Sequence, residues 1–117
     1  MGLLLARDHV NPNKLDADGR TLLFYASASG SEEIVRQLLA RDDVKPDQPD
    51  NNGESPLWIT CDFGCVGSVK LLLARDDVNP NRPDSRGQTP LLIASIRGHR
   101  KIVQLLQARI TEISGSD

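Results

Sequence analysis

The sequence predicts an all-α array of helix-turn-helix units stacked in chain order. Three observations predict it. The chain repeats itself with a period of 34 residues, and periods of about 20–50 residues mark repeat architectures. Helix start and stop residues recur in register with that period. Aromatic side chains make up only 3% of the 117 residues. Small aliphatic side chains must therefore fill the core, which suits closely apposed helices better than packed sheets.

The repeat is plain in the letters. LLLARDHVNPN at 3–13 returns as QLLARDDVKPD at 37–47 and as LLLARDDVNPN at 71–81. Ala6, Ala40, Ala74 and Ala108 keep the same step, as do Asp16, Asp50 and Asp84. The glycines fall into two such series, Gly19, Gly53, Gly87 and Gly30, Gly64, Gly98. The units are a partial repeat at 1–15 (a second helix and its loop), full repeats at 16–49 and 50–83, and a repeat with a C-terminal tail at 84–117.

Each unit opens on D-x-x-G-x-T/S. The glycine there predicts a left-handed turn residue. Thr21, Ser55 and Thr89 are N-caps whose side-chain oxygens accept an orphan backbone N–H. Pro56 and Pro90 follow at the first helical position, where the missing N–H costs nothing; Leu22 stands there in the first full repeat. A short helix then stops at Gly30, Gly64 or Gly98, read as left-handed caps.

A second helix follows at once. Ile34, Val35, Leu38 and Leu39 form one apolar face, as do Ile102, Val103, Leu105 and Leu106. The middle unit has Ser68 where the others have Ile, which weakens packing there. The arginine that ends this helix suits the negative end of the dipole, whereas the Asp pair after it does not. N-P-N or K-P-D then enforces an extended turn, giving a projecting hairpin-like loop.

Composition and motifs exclude several function classes. A net charge of -2 does not suit a nucleic-acid binder held by phosphate neutralisation. No apolar run reaches the about 18 residues of a membrane span, and the start lacks the basic region of a secretory signal. Cys61 and Cys65 are the only cysteines, too few for a disulfide framework. These features predict a soluble intracellular protein, cytoplasmic or nuclear. No phosphate loop or nucleophile elbow is present. His99 opens a second helix, where a structural role is expected, and His9 is expected to face solvent. A close approach of Cys65 to His99 is conceivable, but the thiols read as small buried or half-buried groups. Two thiols and one imidazole fall short of a four-ligand zinc site. The expectation is no enzyme, no cofactor and no metal.

The pattern resembles that of ankyrin repeat proteins. It is carried by Asp84-x-x-Gly87-x-Thr89-Pro90-Leu91-x-x-Ala94, Gly98-His99, Val103 and Leu105-Leu106, and recurs from Asp50 and Asp16. The ARDDVNPN phrase is similar to the near-identical ankyrin arrays of filamentous fungi. Two departures stand out. The period is 34 rather than the family's usual 33. The histidine of the family's TPLH motif is replaced by Phe24, Trp58 and Leu92, so apolar packing is expected in place of its hydrogen bonds.

The resemblance implies a slightly curved solenoid that binds a protein partner through its hairpin tips and concave first-helix face. The implied contact positions are Ala17, Asp18, Arg20, Ala28 and Ser29; Asn51, Asn52, Glu54, Asp62 and Phe63; and Ser85, Arg86, Gln88, Ile96 and Arg97. The repeats disagree most at these positions. Phe63 is either an exposed anchor beside Asp62 or a ring packed on a neighbouring helix. Residues 45–54 carry a net charge of -2 and residues 97–101 carry +3, so an acidic middle and a basic C-terminal end are expected. The alternative function is a structural spacer or sensor array within a larger multidomain protein, which the near-identity of the units favours. Neither end looks like a polar cap, so the chain is either a piece of a longer array or a protein whose ends pair. End-to-end self-association would run through Leu3, Leu4 and Leu5 or through Ile110 and Ile113.

Overall fold

The structure is a computed structural model that describes residues 11–113. Among the described residues there are six helices in three antiparallel pairs: α1 (Leu22–Ser29) with α2 (Glu32–Leu39), α3 (Pro56–Phe63) with α4 (Val66–Leu73), and α5 (Pro90–Arg97) with α6 (Arg100–Ile113). The first helices α1, α3 and α5 pack side by side in one layer, and α2, α4 and α6 in a second. No strand occurs among the described residues. Leu3, Leu4, Leu5 and His9 lie outside the described residues, as does the Ile113 side chain.

The predicted caps set the helix ends. The hydroxyls of Thr21, Ser55 and Thr89 accept from the N–H of Phe24, Trp58 and Leu92 at 3.1, 3.1 and 3.2 Å. Each such cap contributes roughly 1 kcal/mol. Gly64 closes α3 at φ 79°, a conformation that costs an L side chain energy. Space reinforces the requirement there: a Cβ at position 64 would stand 2.7 Å from the His99 ring.

The core lies between the two layers. Leu23, Val35, Leu38, Leu57, Val69, Leu72, Ile102 and Leu106 are fully buried, each contributing roughly 1.5–3 kcal/mol. Ser68 is buried too, with no hydrogen-bond partner for its hydroxyl among the described atoms. It forgoes the apolar contact that Ile102 makes one repeat later. The expected weak point is therefore present in the middle unit.

The near-identical A-R-D-D segment has a packing reason. Arg75 donates to the Leu39 and Arg41 carbonyls at 2.6 and 3.3 Å, so it caps the C-terminal end of α2 in the preceding repeat. Asp77 grips the same guanidinium at 2.7 and 3.0 Å, as Asp43 grips Arg41 at 3.0 Å. The second aspartate thus serves to hold the arginine, which offsets its poor fit to the helix dipole. The following loop is clamped between repeats as well. Asn13 donates to the Asp43 carbonyl at 2.7 Å and accepts from the Lys45 N–H at 2.7 Å. Asp47, one period later, accepts from the Asn79 N–H at 3.2 Å and Arg82 at 3.1 Å.

Trp58 departs from the expectation of purely apolar packing. It is 3% exposed, and its indole Nε1–H donates to the Gln88 carbonyl of the next repeat at 2.9 Å. A buried indole N–H requires such a partner. Phe24 is apolar packing as expected: it is buried, lies 4.9 Å beneath the Arg20 guanidinium and meets Tyr25 edge-on. Leu92, in the same register on α5, is 44% exposed.

Candidate protein-binding surface

The hairpin-like loops are organised by the aspartate that opens each unit. Asp50 Oδ1 accepts from the N–H of Asn52 and of Glu54, both at 2.9 Å. Asp16 and Asp84 accept from their counterparts in the same way. This role escaped the sequence reading because the donors are backbone groups, which carry no letter. Neighbouring tips are joined by one backbone hydrogen bond each, Asn51 N–H to the Asp18 carbonyl and Ser85 N–H to the Asn52 carbonyl, both at 2.9 Å. Gly53 makes that approach possible, since a Cβ there would stand 2.7 Å from the Ser85 nitrogen.

The predicted contact positions divide into two groups. Ala17, Asp18, Ser29, Asn51, Asn52, Phe63, Ser85, Arg86, Ile96 and Arg97 are exposed. Arg20, Ala28, Glu54, Asp62 and Gln88 are half-buried. Ala28 packs partly against the core. Arg20 reaches forward to Asp50 at 3.2 Å, and Asn51 donates to the Ala17 carbonyl at 3.1 Å. These two residues hold neighbouring tips together. Phe63 is 57% exposed, which resolves its two readings in favour of a solvent-facing ring.

The expected acidic middle is largely neutralised within the stack, whereas of the expected basic end only Arg97 is paired among the described residues. Asp47 pairs with Arg82, Asp50 with Arg20, and Asp62 with Arg97 at 2.7 Å. Glu54 has no cationic partner among the described residues. Burial raises its pKa first, and the Asp50 and Asp84 carboxylates add to the shift. Glu54 lines a polar hollow of about 350 Å³ with Asn52, Ser85 and Arg86.

Cys65 and His99 do not pair. The His99 ring packs on Gly64, and Nε2 lies 3.1 Å from the Asp62 carbonyl. Cys65 instead stands over Gly30. Burial raises both thiols, Cys61 up to about 12, so neither is a ready thiolate at neutral pH. Among the described residues no group of His, Cys, Asp and Glu is arranged to hold a metal, and no helix is long and apolar enough to cross a membrane.

Stacked helix pairs with tips joined one to the next define a helical repeat solenoid, a class in which each unit contacts its neighbours. A family model described as ankyrin repeats, three copies, matches residues 2–84 and 43–115, and the chain belongs to the ankyrin repeat family. Repeats of this family are generally protein–protein interaction modules and typically non-catalytic. No curated protein matches the chain.

Proposed function

We propose that this chain is a non-catalytic module that binds a protein partner through its hairpin tips and the exposed end of its first-helix layer. One observation carries the reading. At the tips and the end of the first-helix layer, three registers are exposed and different in all three units: Ala17, Asn51, Ser85; Asp18, Asn52, Arg86; and Ser29, Phe63, Arg97. Leu23 and Leu57, repeated between units, are buried. Variation at exposed positions on a repeated scaffold is how a binding surface is written on a repeat. Phe63 is the anchor, because an exposed ring gains most when a partner desolvates it. Arg86 and Asn52 supply the polar rim.

The near-identity of the units does not favour the spacer reading. Part of that identity serves packing, because Arg75, Asp77, Asn13 and Asp47 make specific bonds within and between repeats. Affinity capture with the whole chain, followed by titration of the purified partner, tests the proposal. Phe63→Ala is expected to weaken binding about tenfold or more, and Arg86→Glu about threefold or more. A partner bound equally well by both variants would refute it.

A further inference from the structure

The edge opposite the hairpin tips carries a second ordered pattern. Each first helix leads away from a tip and each second helix returns, so the three inter-helix turns line one edge. The turns touch in order: Cys65 stands over Gly30 and His99 over Gly64. The residues that follow each turn change character along this strip. They are Glu32 and Glu33 in the first unit, Val66 and Gly67 in the second, and Arg100 and Lys101 in the third. Glu32, Glu33, Arg100 and Lys101 are exposed, and exposed Phe63 ends α3 three residues before Val66, between the two charged ends.

Local energetics do not explain this arrangement. Acidic residues suit a helix N-terminus, so Glu32 and Glu33 fit where they are. Arg100 and Lys101 open α6 at its positive end, where a cation is unfavourable. Neither finds an ion-pair partner among the described residues, and nor does Glu32, whose carboxylate lies over Gly67. Glu33 is engaged by Arg36, and Arg97 by Asp62. Asp62 and Lys70 are the nearest charges of the middle unit, and Asp62 is already paired. A locally costly choice without a local return marks a site with another use.

We propose that this strip docks on the same strip of a second copy of the chain, antiparallel, about a two-fold axis at Phe63 and Val66. A patch whose charge inverts about an apolar centre is complementary to itself after a half-turn. In an isologous contact every pairing occurs twice. Glu32 and Glu33 of each copy then face Arg100 and Lys101 of the other, and the two Phe63 rings meet at the centre. A nucleic acid or an anionic membrane fits the strip poorly, because one end repels it.

The strip spans two helix spacings, about 20 Å, and is about one helix wide, about 10 Å. The total area buried falls below the about 1,000 Å² of a stable interface. The dimer is therefore weak and salt-sensitive. Tips 17–18, 51–52 and 85–86 stay free in it, but Phe63 is covered, so the dimer competes with a partner anchored on that ring.

Sedimentation velocity of the full chain tests the proposal, run up to about 1 mM protein at about 30 mM and about 500 mM salt. Wild type is expected to dimerise at low salt and dissociate at high salt. The double reversals Glu32→Lys with Glu33→Lys, and Arg100→Glu with Lys101→Glu, are each expected to weaken self-association about tenfold or more. An equimolar mixture of the two is expected to restore dimers, because both contacts become attractive again. Helical circular dichroism confirms that each variant is folded. A chain that stays monomeric at low salt overturns the proposal. So does self-association that survives either reversal, which would point to end-to-end pairing instead. So does a mixture that fails to recover.

Discussion

Replacing Trp58 by Phe tests whether repeats are joined by more than apolar contact. The indole Nε1–H donates to the Gln88 carbonyl at 2.9 Å, and the ring is 3% exposed. That carbonyl also accepts from the Asp84 N–H at 2.9 Å. It therefore keeps one partner in the variant, and the lost hydrogen bond costs about 1 kcal/mol rather than a full desolvation penalty. Phe is smaller than Trp by roughly 40 Å³, which at about 24 cal/mol per Å³ adds about 1 kcal/mol. The expected loss is about 2 kcal/mol, or about 6–10 °C in Tm for a domain of this size. Urea and thermal unfolding followed by circular dichroism measure it, since the variant lacks the chain's single Trp. Leu92→Ala is the control in the same register. Leu92 is 44% exposed, so its truncation is expected to cost under about 1 kcal/mol. A Trp58→Phe loss below about 0.5 kcal/mol, or a Leu92→Ala loss equal to it, refutes the reasoning.

Arg75→Ala is expected to destabilise by about 1.5–3 kcal/mol, because it uncaps the Leu39 and Arg41 carbonyls and releases Asp77. Arg75→Lys should recover less than half in the same denaturation assay, since a single ammonium cannot serve carbonyls and carboxylate together; full recovery contradicts the capping role. Glu54 has a raised pKa in the folded chain, from burial and then from Asp50 and Asp84. The folded state thus holds its proton more tightly, and ionisation destabilises the fold as pH rises through the carboxylate range. Glu54→Gln is expected to stabilise at pH 7, by under about 1 kcal/mol after screening, with the gain vanishing near pH 3; an unchanged or lower Tm at pH 7 is the opposing result. Cys61 is buried with its thiol raised to about 12, so it should resist thiol reagents until denaturant is added, while half-buried Cys65 reacts slowly. Two rapidly labelled thiols in the native protein would contradict that burial.

The architecture was legible because its signals are local and repeated. Thr21, Ser55 and Thr89 lie three residues from the N–H groups they cap, and left-handed Gly30, Gly64 and Gly98 each close the helix before them. Such short-range chemistry leaves a fixed spacing in the letters. Inter-repeat ties to backbone groups leave none. Trp58 to Gln88, Arg75 to Leu39 and Asn13 to Asp43 each span 30 or more residues and end on a backbone carbonyl. Any residue supplies that acceptor, so no partner letter betrays it. The Asp16, Asp50 and Asp84 series was visible as a period, yet its purpose was not, because its donors are also backbone N–H groups.

The surface divides for the same reason. Asn51 and Arg20 looked like free contact residues because their registers vary, yet both join one tip to the next. Variation is tolerated there because the backbone bonds between Asn51 and Asp18, and between Ser85 and Asn52, carry the connection regardless of side chain. At 17, 18 and 29 and their equivalents the side chains are exposed in every unit, and substitutions at such places usually change stability by less than about 0.5 kcal/mol. Folding therefore places little constraint on these positions beyond the side-chain ties of Asn51 and Arg97. An unconstrained surface position drifts toward small or polar residues, as at Ser29. Phe63, exposed in that register, runs against the drift and leaves apolar area in water. The scaffold has no need of the ring there, so its use lies in what covers it: a partner at the surface of the first-helix layer, or the Phe63 of a second copy across the turn edge.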